Sequence, residues 1–98
     1  MLSKREELLE VIFDKAEKDA KTVVREGHTK SFIAERYLRR LKKCDKDKNS
    51  KFFGHGKEMY NVYVDVMTTY VNNLRGPGIP YKGSSIPEWD SKPERLNI

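Results

Sequence analysis

Between Ser3 and Glu26, apolar residues return at alternating steps of four and three: Leu9, Phe13, Ala16, Ala20 and Val23, with Leu8, Ile12 and Val24 widening the stripe. That is the period of a helix with one apolar face. Ser3 and Glu6 stand in the S-x-x-E relation of a capping box, in which each side chain satisfies a backbone N–H that the first turn leaves unpaired. Gly27 follows as a left-handed stop. The other face interleaves acids and bases, including Glu17 and Lys21 at i,i+4. Residues 1–27 hold seven acids against six bases and read as a solvated scaffold.

A second amphipathic helix is expected from Thr29 or Ser31, both capping residues, to about Cys44, with Ile33, Ala34, Tyr37, Leu38, Leu41 and Cys44 on one side. Residues 45–51 contain no apolar side chain and form an exposed connection. Residues 57–75 pose a choice. Val62, Val64, Val66, Thr68, Thr69 and Val71 favour a strand by propensity, but the period favours a helix. At ~100° per residue, Met59, Tyr60, Tyr63, Met67, Tyr70, Val71 and Leu74 share one side with the valines, and Lys57, Glu58, Asn61, Asp65, Asn72 and Arg75 fill the other. A strand would place Tyr63 and Met67 on the face of Asp65. Gly76-Pro77-Gly78 ends this helix. Its apolar side covers about half the wheel, wider than one core contact requires, so it is expected to lie centrally or to extend into a subunit interface.

All four prolines fall within residues 77–98, which predicts an extended tail. Ile79, Tyr81, Ile86 and Trp89 punctuate it, and a small core gains from one large aromatic, so the tail is expected to lie back across the helices. The fold class is therefore all-α: an antiparallel three-helix bundle over residues 1–76 with an extended proline-containing C-terminal tail over 77–98.

Composition narrows the functional classes. The chain has 98 residues, enough for one domain and too few for two independent cores. No apolar run approaches the ~20 residues that span a bilayer, and Met1-Leu2-Ser3-Lys4-Arg5-Glu6-Glu7 lacks the apolar stretch of a signal peptide, so a soluble cytoplasmic protein without membrane contact is expected. Cys44 is the single cysteine and the histidines number two, which leaves no internal disulfide and no usual structural zinc set. No cofactor or metal is expected.

Charge placement is the most informative feature. Residues 28–51 hold nine bases and three acids, a surplus of six within a chain whose net charge is +5. Arg36, Arg39, Arg40 and Lys43 stand at i, i+3, i+4 and i+7 of the second helix, in a band ~100° wide, largely opposite its apolar side. Adjacent like charges destabilise a helix by a few tenths of a kcal/mol per pair, so the fold alone does not call for them. An anionic partner does, and the arginine fork binds phosphate or carboxylate bidentately. Lys42, Lys46, Lys48 and Lys51 extend the field along the connection.

Weaker motifs surround this band. Gly54-His55-Gly56-Lys57 places flexible glycines, a helix start and a lysine together, a pattern that can cradle an anion, so Lys57 joins the candidate ligand-binding residues. It lacks the G-x-x-x-x-G-K-[ST] pattern of nucleotide hydrolysis. Phe52 and Phe53 offer a stacking surface or a staple onto the bundle. Asp45, Asp47 and Asn49 imitate the opening of a calcium loop, but Ser50 stands where glycine belongs and Gly56 where the bidentate Glu belongs. His28, His55 and Cys44 form no nucleophile–base set, so no catalytic residue is assigned. The expectation is a non-enzymatic basic helical protein whose Arg36, Arg39, Arg40 and Lys43 meet the phosphates of nucleic acid or a nucleotide. The alternative is a protein-interaction module, such as a small inhibitor or adaptor, including one of viral origin, that meets an acidic protein surface or forms a homo-oligomer through its third helix.

Overall fold

A computed structural model describes residues 3–27, 30–75 and 86–90 of the chain. Three helices form an antiparallel bundle: α1 (Lys4–Glu26), α2 (Lys30–Lys46) and α3 (Gly56–Arg75). No strand occurs among the described residues.

Local signals account for the helix ends. The Glu6 backbone N–H donates to Ser3 Oγ at 3.2 Å and the Ser3 N–H donates to Glu6 Oε1 at 3.4 Å, completing the capping box. At the far end Gly27 adopts φ 76° and donates to the Val23 carbonyl. Thr29 lies outside the described residues, and Ser31 sits inside α2, so it is not the cap. The β-branched stretch of α3 is helical: burial of one broad face outweighs the propensity of its valines and threonines.

The helix α3 is the hub. Its Met59, Tyr60, Tyr63, Met67 and Val71 are buried, while Val62, Val64, Val66 and Tyr70 are partly so. Both α1 and α2 pack along it, and they touch each other sparsely. Tyr37 of α2 meets Tyr63 of α3, and Asp45 further along α2 meets Gly56 at the start of α3, so these two helices run in opposite directions. On α1 the core-facing stripe is Leu8, Ile12, Ala16, Asp19, Ala20 and Val23. This corrects the sequence reading. Phe13 remains 45% exposed and Val24 36% exposed, because the helix is rotated to bring Leu8 and Ile12 to the centre and leave Phe13 at the margin.

From the tail, residues 86–90 are described and lie against the bundle. Ile86 and Trp89 pack on the core, the Tyr60 hydroxyl donates to the Pro87 carbonyl, and Lys57 pairs with Asp90 at 2.8 Å. Residues 76–85 and 91–98, with Ile79 and Tyr81 among them, lie outside the described residues.

Gly56 sits where α2, α3 and Trp89 converge. A Cβ there would fall 2.7 Å from Asp45 Cβ, 2.8 Å from Trp89 Cη2 and 3.0 Å from the Leu41 carbonyl oxygen. Helix propensity alone favours Gly56→Ala by up to ~1 kcal/mol. The contacts reverse the sign, since overpacking costs about 1–3 kcal/mol. Urea denaturation should show Gly56→Ala with a lower midpoint than the parent; a higher one would contradict the packing at this junction.

Candidate functional site

Arg36, Arg39, Arg40 and Lys43 are all exposed on α2, but the structure divides them. The Arg39 guanidinium donates to Glu35 Oε1 at 2.7 Å, one turn back, in an exposed pair worth ~0.3–0.5 kcal/mol. Arg36 lies over the Phe32 ring at 6.0 Å and, with Arg40, lines a cleft against α1. Among the described residues, Arg36, Arg40 and Lys43 have no acidic partner.

The three acids of residues 28–51 are each engaged. Glu35 takes Arg39. Asp45 accepts the Gly56 N–H at 2.9 Å, and Asp47 accepts the Asn49 N–H at 2.9 Å. The Asp45 bond also changes the reading of the glycine motif. The start of α3 is already served by a carboxylate from the end of α2, placed where the helix dipole favours negative charge. Lys57 at the same end pairs with Asp90 at 2.8 Å, both side chains being exposed. Lys42 lies over Trp89 and Lys51 over Phe52, each at under 6 Å from the ring centre, while Lys46 and Lys48 are exposed. Phe52 is buried, as a staple requires, and Phe53 is exposed.

The cleft exists because α1 and α2 meet α3 more than each other. It encloses about 400 Å³ between Lys15, Asp19 and Thr22 of α1 and Ile33, Arg36, Tyr37 and Arg40 of α2. At its base Asp19, only 8% exposed, is fully engaged: Tyr63 donates its hydroxyl to Oδ2 at 2.6 Å and Lys15 approaches Oδ1 at 3.1 Å. The Tyr37 and Tyr63 rings tilt together with centroids 4.6 Å apart, and Lys15 lies over Tyr37 at 5.3 Å. Burial pushes the Tyr37 and Tyr60 phenols up to about 12. Tyr63 goes higher still, through burial first and then its hydrogen bond to Asp19. All three hydroxyls are therefore protonated donors near neutral pH.

Lys15, Asp19 and Thr22 were not among the sequence-derived candidates. The signal was present for Asp19: Ile12, Ala16, Asp19 and Val23 follow steps of four, three and four, so the carboxylate stands on the buried stripe. Elsewhere, Cys44 is half-buried against the core, His55 is half-buried and His28 lies outside the described residues. Among the described residues no three His, Cys, Asp or Glu side chains are grouped to hold a metal, and no helix is long and apolar enough to cross a membrane. Comparisons with protein-family models, curated proteins and solved structures find no match to this chain.

The tyrosine cluster has a measurable consequence. In the unfolded chain the phenols ionise near 10, whereas Tyr37 and Tyr60 hold their protons to about 12 in the fold. Their contribution to stability is full below about pH 10 and is lost as pH rises toward 12. Absorbance titration should show Tyr37, Tyr60 and Tyr63 silent through pH 11 in the folded chain, and stability should fall between those limits. Tyr63→Phe leaves Asp19 Oδ2 without its donor and should cost about 1–3 kcal/mol by urea denaturation; an unchanged midpoint would show that the bond contributes nothing.

Proposed function

We propose that this chain is a non-catalytic binding protein that engages the phosphates of nucleic acid through the exposed face of α2. One observation carries the reading: Arg36, Arg40 and Lys43 have no acid among the described residues, while Glu35, Asp45 and Asp47 are committed to other groups. Three cations within one helical band repel each other, and a row of phosphates relieves that repulsion. The exposed Lys46 and Lys48 lengthen the basic track. No Asn or Gln lies among the arginines to read adenine edges, so recognition is of the backbone. Arg39 contributes less than its position on the wheel implies, because Glu35 competes for it.

A second reading, a protein-interaction module, rests on a different surface. Most of the broad apolar side of α3 is consumed by α1, α2 and Trp89. What remains is a groove of about 480 Å³ where exposed Phe13 faces Val66 and Tyr70. A second copy covering Phe13 would make the chain a homo-oligomer, which light scattering detects directly.

Fluorescence anisotropy with a labelled duplex at several salt concentrations separates the two. Each phosphate neutralised on duplex DNA contributes a slope of ~0.9 in log affinity against log salt, so three contacts predict about −2.7. The Arg36→Gln, Arg40→Gln double variant should flatten the slope by about 1.8, and Arg39→Gln should change it much less. Binding that is absent, or indifferent to salt, together with a stable oligomer, would favour the second reading.

A further inference from the structure

Tyr37 is one of the α2 residues that line the cleft. Its side chain belongs to a residue more than nine-tenths buried, yet its hydroxyl has no hydrogen-bond partner among the described residues. Among the described residues no buried side-chain polar atom is left without a partner. The Tyr37 hydroxyl is therefore not sealed from solvent, and Tyr37 is one of the residues that line the α1/α2 cleft. Tyr60 and Tyr63, its neighbours in the same aromatic cluster, each donate to a fixed acceptor within the chain. Tyr37 is the member of that cluster left with its hydroxyl uncommitted.

Three donor-bearing side chains of α2 thus line one recess: Arg36, Arg40 and Tyr37. The Thr22 hydroxyl donates to the Lys18 carbonyl, so its proton is spoken for. Among the described residues Asp19 is the one carboxylate lining the cleft, and its two oxygens are held by Lys15 and Tyr63. The Lys15–Asp19 pair cancels in charge, which leaves the recess with the two positive charges of the arginines. At about 400 Å³ it lies within the ~300–1,000 Å³ of small-ligand sites.

We infer that this cleft is a receptor for a phosphate monoester, carried by a nucleotide or by the 5′ end of a nucleic-acid strand. The inference rests on the phosphate-binding reading of α2 and narrows it. A terminal phosphate carries about −1.5 to −2 charges near neutral pH and three unbridged acceptor oxygens. An internal phosphodiester carries one charge and two such oxygens. Two arginines and one phenol match the terminal group in both charge and donor groups. An internal phosphate is better served by the open ridge beside the cleft, where Lys43 and the exposed Lys46 continue the track. That continuation favours a nucleotide chain over a phosphorylated peptide, because further phosphates follow the first.

The test compares two identical labelled strands, one with a 5′-phosphate and one with a 5′-hydroxyl, by anisotropy against the full chain. A nucleoside monophosphate and a phosphoserine peptide serve as competitors. The 5′-phosphate should tighten binding about tenfold, equivalent to one charged hydrogen-bonded contact set. Tyr37→Phe, which keeps the ring packing and removes only the hydroxyl, should reduce that preference severalfold, and Arg40→Gln should abolish it. Arg39→Gln should retain it. Competition by the monophosphate assigns the source as a free nucleotide, and its failure assigns the strand end; both support a monoester receptor. Equal binding of the two strands overturns the receptor while leaving the α2 ridge intact. A phosphoserine peptide that outcompetes the phosphorylated strand overturns it, as does a preference that survives in Tyr37→Phe and Arg40→Gln. Binding of neither strand overturns the ridge reading with it.

Discussion

A carboxylate inside a helical bundle is tolerable only if both of its oxygens are answered, and Asp19 imposes that condition on the structure. Tyr63 answers from α3 and Lys15 from the preceding turn of α1, so the bond ties the register of α1 to that of α3. Placing Tyr63 in turn places Tyr37, whose ring packs on it from α2. The three helices are thus referred to one polar contact surrounded by apolar packing. Replacing it with a hydrophobic residue of similar size would fill the core equally well. What the carboxylate adds is a fixed geometry under the cleft and a compensated charge within it, so that the arginines on the rim keep their full positive field.

The distribution of acids explains why that field survives. The chain has 15 acids for 20 bases, and in the basic segment each acid is used for structure: Glu35 beside Arg39, Asp45 at the start of α3, Asp47 in the turn. Asp45 serves twice, since its backbone carbonyl also accepts the Gly54 N–H at 3.1 Å. The junction it organises is further closed by Trp89, which lies against Gly56, Tyr60 and Lys42. One face of the end of α2 is therefore a packed corner, while its exposed Lys43 and Lys46 continue the open cationic surface of the middle of the helix.

Much of the fold was legible in the residues. Period-3.6 patterning located all three helices, and the capping box and Gly27 marked the ends of α1 because their mechanisms are local. Helical period also overrode strand propensity in α3, where burial decides. What was not legible depended on rotation and remote partners. The stripe on α1 admitted two phases differing by one residue, and only packing against α3 selects the one that buries Leu8 and Ile12 and leaves Phe13 outside. The anion at the start of α3 comes from a residue eleven positions earlier, so the glycine motif resembled an empty nest when it was already filled. The exposed placement of Arg36, Arg39, Arg40 and Lys43 on α2 was legible from spacing and the Arg39–Glu35 contact from its i,i+4 separation, whereas the contribution of α1 to the cleft required the tertiary arrangement.

The most direct measurement is a nuclear magnetic resonance titration of the isotopically labelled chain with a short 5′-phosphorylated strand, following backbone amides and arginine Nε–Hε groups together. Shifts should concentrate on Arg36, Arg40 and the amides of α2 near Tyr37 and Lys43, with Thr22 of α1 responding across the cleft and Arg39 responding weakly. Shifts confined to Lys57 and the start of α3, or spread evenly over the exposed lysines, would contradict the assignment of the phosphate site to α2.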